Sequence, residues 1–364
     1  MTSPTVASDP VLVRVDGGLA ELTLNRPASL NALDRAMVGT MADRLDDWRH
    51  DDAIRAVLVS GAGDRALCAG GDIVAIHTDA LAVAGAGDAA AAASESAGFW
   101  RDEYRLNAAI AEYPKPYVAF MDGFVMGGGV GISAHASVRI VTDRTRFAMP
   151  EVGIGLVPDV GGTLLLSRIP GELGTYIALT AVQLDGADVI AAGLADHYVP
   201  ADRLDDLRAA LATAPVDDAV ARFAVEPPPS ALAAAREWIA GAFAADSVTE
   251  IVERCRALQT PEANKTADRI EGKSPTSVAV ALAALRAVRA DDSLRDILRR
   301  EYRTSLRCLQ HPDLAEGIRA QVIDKDRSPD WRPPREPSAA EVAAFFAPLA
   351  PDLELTFTDE EHAR

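Results

Sequence analysis

Apolar and polar residues alternate at the start of the chain, and short apolar segments then recur along its first half. Residues 11–24, VLVRVDGGLAELTL, form two alternating runs around an Asp-Gly-Gly turn, which predicts a β-hairpin. Short, almost continuously apolar runs at 54–61 and 115–123 predict strands buried on both faces, and residues 138–143 predict a further strand. Helical spacing is found at 34–48, at 99–113, from about 129 and at 163–168. This repeated strand–loop–helix order predicts an α/β architecture with a largely parallel sheet.

The pattern becomes helical after about residue 200. Helical spacing is found at 203–213, 230–244, 247–258, 276–290 and 293–309. Prolines within residues 323–334 exclude a long helix there. A chain of 364 residues can form one large domain with an appendage, or two domains. We therefore expect a core over residues 1–200 and a helical extension over residues 201–364 that packs on it.

Residues 79–98 are rich in alanine and glycine and have no clear periodicity. Such a segment favours a mobile surface loop or a weak helix. A lid next to a ligand is the alternative interpretation.

The net charge of the chain is −18, with 36 Lys and Arg residues against 54 Asp and Glu residues. Nucleic-acid binding requires clustered basic residues, so this composition argues against a nucleic-acid partner. A small anionic ligand needs only a local group of donors or a helix N-terminus and is not excluded. No apolar run reaches the length that spans a bilayer, so we expect no membrane partner.

Three scattered cysteines, Cys68, Cys255 and Cys308, have no paired spacing, which indicates a reducing compartment and no metal cage. The first residues, MTSPTVASDP, lack the basic and apolar blocks of a secretory signal and the arginine-rich pattern of an organellar transit peptide. The abundance of alanine and the preference for arginine over lysine are typical of a high-GC bacterial genome. We therefore expect a bacterial cytoplasmic protein.

Two glycine-rich segments can expose backbone N–H groups to a ligand. CAGGD at 68–72 reads as a loop, and GFVMGGGVGIS at 123–133 lies between a buried strand and a predicted helix. Unpaired N–H groups and the positive end of a helix dipole stabilise an anion, either a phosphate or a developing oxyanion. Neither a Walker A loop nor a dinucleotide-binding fingerprint matches well. A plain turn at the first segment and tight helix–strand packing at the second are the alternatives.

Two acids, Glu151 and Asp159, lie in the otherwise apolar, glycine-rich stretch MPEVGIGLVPDVGG, residues 149–162. Burial raises the pKa of a carboxyl group, and two nearby acids separate their titrations, which suits general acid–base catalysis or nucleophilic attack. The structural alternative is that Asp159 caps a helix beginning at 163. The six histidines are dispersed without metal-binding spacing, and no Gly-x-Ser-x-Gly elbow is present. Neither a metal site nor a Ser-His-Asp hydrolase is therefore predicted.

These motifs occur in an order that resembles the crotonase (enoyl-CoA hydratase/isomerase) superfamily. The matching stretches in the first 200 residues are NRPASLNAL, ALCAGGDI, KPYVAFMDGFVMGGGVGIS, FAMPEVGIGLVPDVGGTLLLSRIPG and ALTAVQLDGADVIAAGLADHYV. The stretches KSPTS (273–277), EYRTSLRCLQHPDLAEGIRA (301–320) and IDKDRSPDW (323–331) extend the resemblance to the 3-hydroxyisobutyryl-CoA hydrolase branch. The resemblance implies a crotonase-like spiral core of repeated ββα units with a helical C-terminal region. That region mediates trimers in many members, so a homo-oligomer is a further expectation, unless the extended tail replaces those contacts.

The resemblance also implies an enzyme that binds acyl-CoA thioesters. Two backbone N–H groups hold the thioester carbonyl oxygen in this superfamily, and by motif match they belong to Gly71 and Gly128. Glu103, in the sequence RDEY, matches a substrate-contacting acid of the branch. No metal and no separate cofactor are implied, because CoA is part of the substrate.

The acids distinguish the reactions within the superfamily. Hydratases use two glutamates, and Glu151 matches one of them, whereas the position of the other holds Gly131. The hydrolase branch has an aspartate at the position of Asp159, where hydratases typically have glycine. The resemblance therefore implies thioester hydrolysis, with 3-hydroxyisobutyryl-CoA of valine breakdown as the substrate of the branch. An enoyl-CoA hydratase or isomerase and a CoA-thioester-binding protein without turnover are the alternatives.

Overall fold

The computed structural model describes residues 9–357 and contains two β-sheets. Its strands are β1 (Val11–Asp16), β2 (Leu19–Leu24), β3 (Ala56–Gly61), β4 (Ala66–Cys68), β5 (Tyr117–Met121), β6 (Phe124–Met126), β7 (Val138–Val141), β8 (Arg146–Ala148) and β9 (His197–Tyr198). A six-stranded sheet has the order β1-β2-β3-β5-β7-β9, and a three-stranded sheet has the order β4-β6-β8. The predicted hairpin is β1–β2, and the three strands predicted after it are β3, β5 and β7.

The chain alternates between the two sheets. The hairpin β1–β2 is antiparallel, with Val11 opposite Leu24, and each later pair in both sheets is parallel. The pairs β3–β4, β5–β6 and β7–β8 each place one strand in the large sheet and the next in the small sheet. A helix follows each pair before the chain returns to the large sheet. This is the repeated ββα arrangement, so the predicted fold class is confirmed.

Helices account for most of the remaining chain between residues 9 and 357. They are α1 (Arg35–Arg49), α2 (Ile73–Val83), α3 (Asp88–Ala92), α4 (Glu95–Ala111), α5 (Gly128–Gly131), α6 (Gly162–Ser167), α7 (Leu173–Thr180), α8 (Gly186–Ala191), α9 (Leu204–Thr213), α10 (Val216–Ala221), α11 (Ala231–Phe243), α12 (Val248–Ala257), α13 (Pro261–Glu271), α14 (Pro275–Arg286), α15 (Leu294–Gln310), α16 (Pro312–Ile318) and α17 (Ala339–Ala344). Short 3-10 turns lie at Pro27–Ser29, Glu151–Gly153 and Ala201–Arg203, and one π turn lies at Arg319–Ile323. None of these helices has the length and hydropathy needed to cross a bilayer.

The alanine-rich segment 79–98 is helical rather than a loop. It contains the end of α2, all of α3 and the start of α4. Alanine is the strongest helix former, and its small side chain lets neighbouring helices pack closely. Ala91 and Ala97 are completely buried. The helix interpretation is therefore confirmed and the loop interpretation is wrong.

Two buried apolar clusters contain residues from both sides of position 200. In the smaller cluster, Leu207 of α9 and Val220 of α10 lie with Leu58 and Phe120 of the large sheet. The larger cluster joins the small sheet and α4 to α11–α16. The C-terminal helices thus pack directly on the sheets, and α15 in particular contacts α2, α4 and α6.

Candidate active site

The small sheet brings three of the predicted site residues to one edge. Because β4, β6 and β8 are parallel, their carboxyl ends lie side by side. The segments that follow these three ends carry Gly71, Gly128 and Glu151 in turn. The edge beyond the carboxyl ends of parallel strands is where α/β folds commonly bind ligands.

The backbone N–H of Gly71 points away from Leu33, the residue that pairs with Gly71 in a parallel bridge. Leu33 donates to the carbonyl oxygen of Gly70 at 2.8 Å and accepts from the N–H of Asp72 at 2.9 Å, which makes a parallel bridge opposite Gly71. In such a bridge the middle residue directs its own N–H to the other side. Within residues 9–357 no group accepts a hydrogen bond from this N–H.

Gly128 is the first residue of α5, and its N–H is also unpaired. The first N–H groups of a helix have no intrahelical acceptor, and this one finds none elsewhere in the described part of the chain. The preceding Gly127 has φ +49°, a conformation that glycine adopts without a steric penalty. A side chain on Gly129 would collide with the carbonyl oxygen of Cys68, so the two glycine loops meet backbone to backbone.

Glu103 reaches the same place from α4. Its Oε1 lies so close to Gly128 that a Cβ atom there would collide with it. This oxygen is buried and has no hydrogen-bond partner among the described residues. Burial raises the pKa of Glu103 well above its ordinary value, and the negative charge of Asp159 raises it further. Glu103 therefore holds its proton more tightly than an exposed glutamate does.

Glu151 lies in the 3-10 turn after β8 and is buried. Its Oε1 is 3.4 Å from the point where Gly127 would carry a Cβ atom, and its Oε2 has no partner among residues 9–357. Burial is the main cause that raises the pKa of Glu151 well above its ordinary value, and the charge of Asp159 is the next. Once ionised, this carboxylate is poorly solvated and hence strongly basic.

A tyrosine hydroxyl from α4 holds Asp159. Tyr104 donates its hydroxyl proton to Oδ2 of Asp159 at 2.8 Å, and Oγ of Ser305 lies 3.0 Å from the same hydroxyl. Because Tyr104 has a single hydroxyl proton, Ser305 is the donor in the second bond. Burial raises the pKa of Asp159 to about 6, although the hydrogen bond from Tyr104 lowers it. Asp159 therefore changes charge not far below neutral pH.

Glu301 caps α6, and Asp159 does not. The N–H of Gly161 donates to Oε2 of Glu301 at 2.7 Å, and the N–H of Thr163 donates to Oε1 at 2.9 Å. These groups belong to the first turn of the helix, where a negative charge is favourable. The structural alternative for Asp159 is therefore wrong. Burial raises the pKa of Glu301 to about 8, although the N–H groups of Gly161 and Thr163 lower it.

The turn between Asp159 and α6 has a strained backbone. Val160 has φ +52°, a conformation that costs a β-branched residue about 1–3 kcal/mol. Nε2 of His135 lies 2.8 Å from the carbonyl oxygen of Val160, and since a carbonyl only accepts, the imidazole donates. Burial lowers the pKa of His135 to about 4, so the ring is neutral. His135 and Glu301 together fix the backbone that directs Asp159.

The structure therefore brings Glu103, Glu151 and Asp159 into one buried group, with Glu301 behind it. The charge of Asp159 raises the pKa of each of the other three. Interacting acids release their protons in separate steps that belong to the whole group. Such a group can take up and return protons near neutral pH, as acyl transfer requires.

Sequence reasoning missed Tyr104, Asn107, Glu301 and Ser305. One signal could have pointed to them, since the tripeptide Glu-Tyr-Arg occurs at 103–105 and again at 301–303. The two copies lie on α4 and α15, and the rings of Tyr104 and Tyr302 meet edge to face with centroids 6.4 Å apart. A repeated charged tripeptide on two predicted helices does not by itself show that the helices touch.

A cavity of about 420 Å³ lies between α12, α13, α14 and residues 334–336, and none of these acids lines it. Lys273 lines it and also approaches the turn after Glu151, where its Nζ is 3.5 Å from the point at which Gly153 would carry a Cβ atom. In the described ranges no group of three or more His, Cys, Asp and Glu residues is arranged to hold a metal ion.

Solved structures and curated proteins resemble this chain over nearly its whole length. A carnitinyl-CoA dehydratase from Mycobacterium thermoresistibile is 52% identical with a TM-score of 0.90, covering 96% of this chain and 99% of that one. An enoyl-CoA hydratase from Rhodobacter sphaeroides is 40% identical with a TM-score of 0.87, covering 96% of this chain and 100% of that one. The mitochondrial 3-hydroxyisobutyryl-CoA hydrolase of Xenopus tropicalis is 40% identical over 344 residues, or 92% of this chain and 87% of that protein.

The human mitochondrial 3-hydroxyisobutyryl-CoA hydrolase is 37% identical over 345 residues, which are 92% of this chain and 86% of that protein. The family model described as enoyl-CoA hydratase/isomerase matches residues 19–346. This match covers the small sheet, the buried acids and the C-terminal helix that carries Glu301. The chain therefore belongs to the enoyl-CoA hydratase/isomerase family.

Proposed function

We propose that the protein hydrolyses a short 3-hydroxyacyl-CoA thioester, with 3-hydroxyisobutyryl-CoA as the principal substrate and 3-hydroxyisobutyrate and CoA as products. The observation that carries the proposal is the pairing of buried Glu151 with buried Asp159 beside a Gly131 that has no carboxylate. The names of the curated relatives support the same reaction.

The second candidate is hydration of an enoyl-CoA, which is favoured by the solved relatives named as an enoyl-CoA hydratase and a carnitinyl-CoA dehydratase. Hydratases place a second glutamate where this chain has Gly131. A Cβ atom at Gly131 would lie 2.7 Å from Nδ2 of Asn107 and 2.7 Å from Cβ of Val160, so there is no room for a side chain. Packing as well as sequence therefore argues against the two-glutamate mechanism.

In the proposed reaction, the N–H groups of Gly71 and Gly128 bind the thioester carbonyl oxygen. As a nucleophile adds to the carbonyl carbon, this oxygen gains negative charge that the two donors stabilise. Loss of one such donor typically raises the barrier by about 3 kcal/mol. The carbon–sulfur bond then breaks, and CoA leaves as a thiolate that takes up a proton.

Glu151 has two routes to the same products. In one route its carboxylate adds to the carbonyl carbon, the carbon–sulfur bond breaks, and water hydrolyses the resulting anhydride. In the other it removes a proton from water while the hydroxide adds, and that proton passes to the departing thiolate. In both routes Asp159 orients Glu151 or the water, and Glu103 contacts the substrate.

A single turnover in ¹⁸O-labelled water distinguishes the two routes. In the anhydride route we expect water to attack the acyl carbon that Glu151 contributes, which leaves label in the carboxyl group of that residue. Label found only in the released acid supports the general-base route. Mass spectrometry of the peptide containing residue 151 measures this incorporation.

Release of free thiol from a panel of short acyl-CoA thioesters, with and without a 3-hydroxyl group, tests the proposal. We expect 3-hydroxyisobutyryl-CoA to be cleaved most efficiently, with 3-hydroxypropionyl-CoA as the nearest competitor. Loss of the conjugated-thioester absorbance of crotonyl-CoA, without thiol release, would instead establish the hydratase. A protein that binds the thioesters but shows neither signal is a binding protein.

Replacing Glu151 by glutamine tests the residue that the proposal depends on. Glu151→Gln should lower thiol release at least about 100-fold and leave substrate affinity largely unchanged, because only the proton acceptor or nucleophile is lost. Glu112→Gln removes the same charge at an exposed ion pair with Arg295 and serves as the control. Equal turnover in the two variants would contradict the proposal.

The proposal extends to a bacterial cytoplasmic enzyme of valine breakdown that forms a homo-oligomer. All three cysteines are buried and unpaired, which supports a reducing compartment. Both solved relatives named above come from bacteria. Light scattering coupled to size-exclusion chromatography measures the oligomeric state.

A further inference from the structure

Asn107 is completely buried on α4, and neither its Oδ1 nor its Nδ2 has a hydrogen-bond partner among the described residues. A buried amide without partners has lost its hydrogen bonds to water without replacing them, and this destabilises the folded state. Native structures keep few such groups, and each one that persists calls for an explanation. An apolar side chain at this position would avoid the cost.

The amide of Asn107 lies beside the proposed reaction site. Nδ2 and Oδ1 are 2.7 and 3.0 Å from the point where Gly131 would carry a Cβ atom. Glu103 lies one helical turn earlier on the same face of α4 and contacts Gly128 in the equivalent way. Val160, which follows Asp159, touches the same point. The amide thus occupies the space next to residue 131 that the side chain of a hydratase's second glutamate would enter.

We propose that Asn107 recognises the 3-hydroxyl group of the acyl chain and so determines the preference for 3-hydroxyacyl substrates. This inference rests on the proposed function. A hydroxyl group donates one hydrogen bond and accepts others, and an amide offers an acceptor in Oδ1 and a donor in Nδ2. A hydroxylated acyl group satisfies both atoms, whereas an unsubstituted acyl group leaves them unpaired.

Selectivity for a hydroxyl is strong where a site contains a polar group built to bind it. Hydratases carry their second glutamate at the position of Gly131, and its carboxylate takes part in the addition of water to the double bond. A neutral amide binds the hydroxyl without removing its proton, so it selects the substrate and leaves carbon 3 unreacted. This separation of binding from proton abstraction suits hydrolysis at carbon 1.

The test compares 3-hydroxyisobutyryl-CoA with isobutyryl-CoA, which has the same carbon skeleton without the hydroxyl. Asn107→Leu keeps the branched shape and removes both polar atoms. We expect the ratio of kcat/KM for the two thioesters to fall about 10- to 100-fold, mainly through loss of activity on the hydroxylated one. Tyr117→Phe is the control, because it removes a different buried polar group without a partner, the hydroxyl of the first residue of β5.

Affinity separates this inference from the proposed function. The dissociation constants of the two thioesters are measured in the Glu151→Gln protein, with and without the leucine substitution. Selectivity for the hydroxyl that disappears with Asn107→Leu supports the inference even where thiol release fails. An unchanged ratio in both assays overturns it and leaves the hydrolase proposal intact. Asn107→Ala, measured in the same way, replaces the leucine variant should that one fail to fold.

Discussion

The hydroxyl of Tyr104 donates to Asp159 and lowers the pKa of a carboxyl group that burial raises to about 6. Removing the hydroxyl therefore raises the pKa of Asp159 further. In Tyr104→Phe we expect the acidic limb of the kcat/KM profile to move to higher pH by about one unit, since a hydrogen bond to a charged group contributes about 1.5–3 kcal/mol. A pH–rate profile of thiol release measures the shift.

A Tyr104→Phe profile that superimposes on that of the wild type would show that Asp159 does not need to be ionised. Ser305→Ala is the companion variant, because it removes the hydrogen bond to Tyr104 while keeping the bond to Asp159. We expect it to shift the profile less.

The close packing around Gly131 makes this position intolerant of any side chain. An added Cβ atom would lie 2.7 Å from both Asn107 and Val160, so Gly131→Ala should lower the free energy of unfolding by about 1–3 kcal/mol. Gly39 of α1 has nothing within 4 Å of an added Cβ atom. Gly39→Ala should therefore raise stability by about 0.5–1 kcal/mol. Denaturant unfolding of both variants checks the contrast, and equal effects would contradict it.

At the scale of elements, the strands of the large sheet could be predicted and those of the small sheet could not. β3, β5 and β7 are apolar runs of four to six residues with a clear signal. β4, β6 and β8 have three residues each and lie within loops or next to glycines, so no periodicity is visible in them. Their pairing comes from tertiary contacts. The periodicity of the sequence therefore could not predict the small sheet, whose strands lead into the segments of the candidate site.

The same distinction applies to the site residues. The two glycine loops and the acid pair stand out in the sequence because glycines and acids in apolar surroundings are unusual, whereas only the resemblance selects Gly71 and Gly128 within those loops. Glu301 could not, because α15 carries many charged residues and only the fold shows which of them is buried. Asn107 is likewise an ordinary helical residue until its packing against Gly131 is known.

Glu301 on α15 binds the turn before α6, so we expect a substitution at 301 to change both stability and kcat. The N–H groups of Gly161 and Thr163 each donate to a different oxygen of Glu301. A glutamine at 301 can accept only one of these hydrogen bonds, because its NH₂ group would face the second N–H. Glu301→Gln should therefore destabilise the protein by about 1–3 kcal/mol and lower kcat, since the strained turn at Val160 carries Asp159. Thermal unfolding and thiol release test this, with Glu112→Gln as the control for charge. A destabilised variant with normal kcat would show that Glu301 does not position the site.

At the scale of the whole molecule, the buried acids predict how stability depends on pH. The pKa of Glu301 rises from 4.5 to about 8 on folding, and that of Asp159 rises from 3.8 to about 6. The folded state thus binds these protons more tightly than the unfolded state. The stability they contribute is complete below about pH 4 and is lost as pH rises through 6 and 8.

We therefore expect the ligand-free protein to unfold at a lower temperature at pH 8.5 than at pH 5.5. Exposed acids with strong ion pairs, such as Glu341 beside Arg335 with a pKa of about 2, titrate below this range and do not oppose the trend. Buried His135 does oppose it below about pH 6.5, because folding lowers its pKa from 6.5 to about 4, but the upward shift of Glu301 is larger and that of Asp159 adds to it. Calorimetry across the range measures the slope, and Glu301→Gln should reduce it. A rising melting temperature over this interval would contradict the assignment of the raised pKa values.

The hydrogen bond between Tyr104 and Ser305 joins residues 201 positions apart. Chains fold from the N-terminus as the ribosome releases them, at about 5–20 residues per second. A growing chain therefore holds both glycine loops, Glu151 and Asp159 for about 7–30 seconds before Glu301 and Ser305 emerge. During that interval the strained turn has no cap and the tyrosine has no donor. Placing these two residues on one of the last helices makes the ability to cut thioesters a property of the finished chain.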